Sequence, residues 1–125
     1  MVITLNENSF NCETINDFKS LLKEQIAKNP TLEVWCTYKD KTYPCISLIV
    51  HNHMAVVHYF ASEDDAVFVS LGDVAQDSIF ELTTESQHFE IATYQLISLE
   101  KALTYVEAFF EDRLTPDTME WEELY

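Results

Sequence analysis

Apolar and polar positions along the middle of the chain repeat with a period of two. Ile46, Leu48 and Val50 alternate with Cys45, Ser47 and Ile49, and Met54, Val56, His58 and Phe60 alternate with Ala55, Val57 and Tyr59. This is the side-chain period that a pleated strand imposes. Both sets are largely apolar in each segment, which predicts central strands covered above and below. A third strand is expected over 66–71, after Ser62-Glu63-Asp64-Asp65, whose short polar and charged side chains favour a turn. Connections this short join antiparallel neighbours, so the three segments are predicted to form a meander. Between the first two, His51-Asn52-His53 has no glycine, and Asn52 is the residue best able to take a positive φ.

The period changes on either side of this centre. Ile15, Phe18, Leu21, Leu22 and Ile26 fall at helical spacing, Thr14 and Asp17 make a capping-box signature, and Asn29-Pro30 stops the run. A second helical period, Leu99, Ala102, Leu103, Val106, Phe109 and Phe110, starts after Ser98 as N-cap and ends before Pro116. Helices are thus predicted over 14–28 and 98–112. Strands are expected over 1–5 and 32–38, with Leu32, Val34, Cys36 and Tyr38 on one face and Glu33, Trp35 and Thr37 on the other. Residues 6–12 read as a loop or a short strand. The segments 78–83 and 87–93 read as strands extending the same sheet, and 119–124 as a short closing strand with Met119 and Trp121 on one face. The fold class that follows is α+β: one domain over 1–125, with a mainly antiparallel sheet of five to seven strands and two helices packed on it.

Composition narrows the function. Against 22 acidic residues stand seven Lys and Arg, a formal net charge of −15, which argues against a nucleic-acid or anionic-membrane partner and for a basic protein. Cys12, Cys36 and Cys45 are odd in number and widely spaced, so they form neither a disulfide framework nor a CxxC pair and read as small core residues. The N-terminus has no basic segment followed by an apolar one, and no apolar run reaches the roughly 20 residues of a membrane span, so the cytoplasm is the expected compartment. Gly72 is the single glycine, which leaves no phosphate-cradling loop.

Candidate chemistry is sparse. His51, His53 and His58 cluster in sequence, and on a hairpin two of them can approach one metal ion, but no fourth ligand has a recognisable spacing. Cys36 or Cys45 with His58 can imitate a thiol and its base, a pairing that any domain with three cysteines and four histidines offers by chance. Abundant carboxylates make each pair less informative. The sequence therefore points to a chain that is not an enzyme and holds no cofactor.

Taken together, Tyr43-Pro44 before an alternating strand, His58-Tyr59-Phe60, Ser70-Leu71-Gly72-Asp73, the helical run 99–110, Pro116 and the closing Trp121-Glu122-Glu123-Leu124 resemble, in that order, the Imm1 family of bacterial immunity proteins. The resemblance spans roughly 32–124. It departs at two turns, where Asn52-His53 and Arg113-Leu114-Thr115 stand in place of the family's usual glycines. What it implies is a cytoplasmic protein that binds and neutralises the toxin encoded beside it, with a nuclease or nucleic-acid deaminase among the expected partners. The competing readings are an acidic nucleic-acid mimic that blocks a DNA- or RNA-binding protein, and a small enzyme. Tyr59, Phe60, Trp121 and Trp35 are read as core because of their size. Contact residues are expected on loops and in the acidic C-terminal third, where residues 98–125 hold eight acids and two bases. The residues singled out for the toxin are Glu63, Asp64 and Asp65 on the loop between two strands, and Asp112, Asp117, Glu120, Glu122 and Glu123 near the C-terminus.

Overall fold

The central alternation becomes the middle of a sheet with a different cover on each face. The computed structural model describes residues 1–63, 67–72, 78–83, 88–114 and 121–123. Among these are ten strands: β1 (Val2–Leu5), β2 (Asn8–Asn11), β3 (Thr31–Thr37), β4 (Cys45–His51), β5 (Met54–Phe60), β6 (Val67–Ser70), β7 (Ile79–Thr83), β8 (His88–Ala92), β9 (Ile97–Ser98) and β10 (Trp121–Glu123). Two helices, α1 (Ile15–Lys28) and α2 (Leu99–Phe110), complete an α+β fold. The main sheet runs β10-β6-β5-β4-β3-β1-β2, with β9 added along β5, and every pairing among the described residues is antiparallel.

Register sorts the side chains. Ile46, Leu48 and Val50 of β4 lie opposite Cys36, Val34 and Leu32 of β3 and opposite Tyr59, Val57 and Ala55 of β5. All nine are buried in one cluster with Phe18 and Leu22 of α1 and Ala102, Tyr105, Val106 and Phe109 of α2. A side chain such as Phe18, 1% exposed with its ring 5.9 Å from that of Phe110, accounts for a loss of about 3–5 kcal/mol on truncation to alanine. Local signals agree with this packing. Thr14 accepts a hydrogen bond from the Asp17 N–H while the Asp17 carboxylate accepts from the Thr14 N–H, each at 3.2 Å, which closes the capping box before α1. Ser98 caps α2 by accepting from the Lys101 N–H at 3.1 Å. Asn52 has φ 55° in the β4–β5 turn, and Asp112 has φ 57° just after α2. The left-handed conformations that glycine often supplies are here taken by Asn and Asp, whose side chains tolerate them best after glycine.

Two expectations need correction. Residues 79–83 and 88–92 do not extend the main sheet: among the described residues, β7 and β8 pair only with each other. The edge of the sheet beyond β6 is occupied by β10, and the hairpin instead lays Leu82 and Ile91 over Ile49, Val56 and Val69, the apolar positions on the face away from the helices. The main sheet is also larger than five to seven strands, because the two-residue β9 takes up the edge of β5 where β6 leaves it. Met119 and Leu124 of the expected closing strand lie outside the described residues, as does Ala66 at the start of the expected third strand.

Candidate binding cleft and acidic surface

The hairpin covers only part of the second face, and what remains open is aromatic. Trp35 of β3 lies opposite Ser47 of β4, which lies opposite His58 of β5, and Cys45 lies opposite Phe60. Cys45 and Ser47 are small and buried. They leave room above β4 for the Trp35 and Phe60 rings to meet across it, 5.5 Å apart and inclined by only 27°. The His58 ring lies beside Phe60 at 6.3 Å and 22°. Between this row and the hairpin runs a cleft of about 300 Å³, floored by Ile49 and Val56 and walled by Phe89, Glu90, Ile91 and Gln95. Trp35, His58, Phe60 and Phe89 are all half-buried, so the rings line the cleft without being sealed into the core.

The ionisable side chains that the sheet presents to the cleft are Glu33 and His58, and among the described residues no lysine or arginine lines it. Glu33 is set by its backbone: its N–H donates to the Asn6 side chain at 2.9 Å, and its carbonyl accepts from the Asn6 N–H at 3.1 Å. Burial pulls His58 below its usual value, so the ring is neutral at pH 7. On the outer side of the hairpin, Glu81 lies directly opposite Glu90. With His88 they bring three ligand atoms within 4.8 Å of one another, all exposed. The His88 Nε2 is 3.9 Å from the Glu81 carboxylate, and its Nδ1 is 3.2 Å from the Thr83 hydroxyl. Sequence reasoning missed this group, because the residues meet only through the hairpin register.

No protein-family model matches the chain, and no curated protein matches it either. The Imm1 resemblance therefore rests on the residues that carry it, and most of those build the fold. Tyr59 is buried, and Trp121 packs on Tyr59, Phe68 and Tyr105 with centroids 5.9, 6.5 and 4.9 Å away. Ser70 and Gly72 bind the backbone of the 3-10 turn Thr93–Gln95. The reading of Trp35 and Phe60 as core is corrected here: their neighbours on β4 are too small to cover them.

The acids singled out from the sequence divide. Glu63 is exposed in the turn after β5, Asp112 is exposed at the end of α2, and Glu123 is exposed on the edge strand β10 opposite Phe68. Strand directions place Glu63 and Glu123 at the end of the sheet where β5 finishes and β6 begins. Asp112 belongs to the same end, since Tyr38, just past β3, donates to the Phe109 carbonyl at 2.6 Å and lies 3.4 Å from the Asp112 carboxylate. Burial, reinforced by Asp112, pushes Tyr38 up to about 12. Glu122 is different: half-buried on the opposite face, it accepts a hydrogen bond from Tyr94 at 3.0 Å. Asp64, Asp65, Asp117 and Glu120 lie outside the described residues.

The nucleophile and metal candidates do not assemble. Cys36 faces the helices and His58 the hairpin; Cys45 shares a face with His58, yet no hydrogen bond joins them. Burial raises all three thiols, which keeps them protonated and inert at neutral pH. His51 has its Nδ1 2.7 Å from the Thr31 hydroxyl and its Nε2 3.3 Å from the Asn52 amide, so both ring nitrogens are engaged away from His53. No described helix is long and apolar enough to cross a membrane.

Proposed function

We propose that this chain is an immunity protein that neutralises a basic toxin domain by binding it one to one. The observation that carries the reading is the open cleft: half-buried aromatic rings with Glu33 beside them and no lysine or arginine among the described lining residues, on a chain of net charge −15. Aromatic anchors in a desolvated pocket with a charged rim are how tight protein interfaces are built. Opposite net charges raise association from about 10⁵–10⁶ M⁻¹s⁻¹ toward about 10⁸–10⁹ M⁻¹s⁻¹ at low salt. An antidote needs that speed, because it must reach its toxin before damage accumulates. The order of motifs shared with the Imm1 family supports the same reading.

Expression of the protein encoded immediately upstream, with and without this chain, tests it. The neighbour should be toxic alone, harmless when co-expressed, and recovered with this chain as a one-to-one complex whose formation slows as salt is raised. A harmless neighbour, or one that never binds, would count against immunity and return weight to the acidic nucleic-acid mimic.

A further inference from the structure

We infer that the cleft between the hairpin and β3 takes an arginine side chain of the partner, stacked against Trp35 and Phe60 and paired with Glu33. The inference rests on the immunity reading for the partner's identity, but its physical grounds are local.

A guanidinium is planar, weakly hydrated and always charged, and it both stacks on aromatic faces and forks onto carboxylates. The cleft offers both partners at once. Trp35 and Phe60 present a nearly parallel pair of rings, and Glu33, two residues before Trp35 on the same face of β3, lines the cleft beside them. The other ionisable side chain there, His58, is held neutral by burial and does not repel a cation at pH 7. At about 300 Å³ the cleft is at the small end of ligand pockets, the right scale for one side chain and its polar head. A lysine would find the charge but not the stacking, and an apolar side chain would leave the Glu33 carboxylate desolvated without a partner.

The chain's two tryptophans make the test direct, because Trp35 lines the cleft and Trp121 packs on the helix-bearing face. In EDTA, which strips any divalent cation from Glu81, His88 and Glu90, the ¹⁵N-labelled protein is titrated with the blocked peptide Gly-Arg-Gly and with its lysine and citrulline counterparts. The Trp35 indole N–H signal should shift saturably with the arginine peptide, less with lysine and not with citrulline, while the Trp121 signal stays still. The isosteric variant Glu33→Gln should abolish the shift and weaken binding of the toxin domain by about tenfold or more. Equal shifts with arginine and citrulline, or a variant that binds toxin like the wild type, would overturn the arginine site and leave the immunity reading intact. Arginine binding at Trp35 with no toxin bound by the whole protein would do the reverse.

Discussion

The Ser70 side chain completes a ladder that backbone alone leaves open: its hydroxyl oxygen accepts from the Val57 N–H at 3.1 Å and its proton goes to the Gln95 carbonyl at 2.8 Å. On this edge β5 pairs with β6 as far as His58 and with β9 from Ala55, so the intervening backbone has no strand partner there. Ser70 is fully buried, and water cannot replace it. Ser70→Ala leaves the buried Val57 N–H without a partner and takes one from the half-buried Gln95 carbonyl, and a loss of about 1–3 kcal/mol for the orphaned donor is expected. Urea unfolding should show a lower midpoint at unchanged m-value. A midpoint equal to that of the wild type would mean that the strand change is held by something else.

Two residues further on, the chain requires glycine for space. Gly72 donates its N–H to the Tyr94 carbonyl at 2.6 Å, and a β-carbon there would sit 2.0 Å from the Leu96 carbonyl oxygen and 3.2 Å from that of Tyr94. Both obstacles are backbone, which cannot swing aside as a side chain does. Gly72→Ala should therefore push the segment between the 3-10 turn and β9 off the sheet, at about 1–3 kcal/mol or more. Hydrogen exchange should speed up locally at Leu96 and Ile97; uniform protection would show that the turn docks without this contact.

The sequence made the helix-facing half of the molecule legible and the other half less so. Helix periods, capping residues and the Leu32-Val34-Cys36 alternation each demand the arrangement found, because the local pattern and the global packing agree. Segments 78–83 and 87–93 read as strands but not as a separate hairpin, since nothing in an alternating five-residue segment says whether its partner lies beside it or beneath it. Trp35 falls on the face that the alternation predicts, and its size alone points to the core. The informative signal was the pair of small residues opposite the rings, Cys45 and Ser47, which cannot cover them. Glu122 shows a converse limit, for a run of Glu residues at the C-terminus gives no sign that one accepts a hydrogen bond from Tyr94.

His58 makes stability depend on pH. Burial lowers its affinity for a proton in the folded chain below the ordinary value of 6.5, whereas the unfolded chain binds that proton as the pH falls through 6.5. The unfolded state therefore holds more protons in acid, and stability falls as the pH drops from about 7 toward 5. His58→Leu should remove part of that slope, seen as a smaller difference between urea midpoints at pH 7.5 and 5.5. An unchanged slope would assign the pH response to other groups.

Steering should come from the acids at the end of the sheet. Glu63 and Glu123 are exposed and make no hydrogen bond among the described residues, so Lys can replace either without unsatisfying a partner. Asp112 needs a gentler change. It holds φ 57°, a conformation that asparagine tolerates and lysine does not, so Asp112→Asn removes the charge and keeps the turn. The triple variant Glu63→Lys, Asp112→Asn, Glu123→Lys should slow association with the toxin domain and flatten its salt dependence while leaving dissociation nearly unchanged, because rim charges act on encounter more than on the docked complex. Glu33→Gln, in the cleft, should act mainly on dissociation. Glu122→Lys should lower stability through the loss of its bond to Tyr94 whatever it does to binding. Stopped-flow traces at several salt concentrations separate the cases. If the triple variant dissociates faster but associates at the wild-type rate, this end of the sheet belongs to the docked interface, and charge steering comes from elsewhere on the surface.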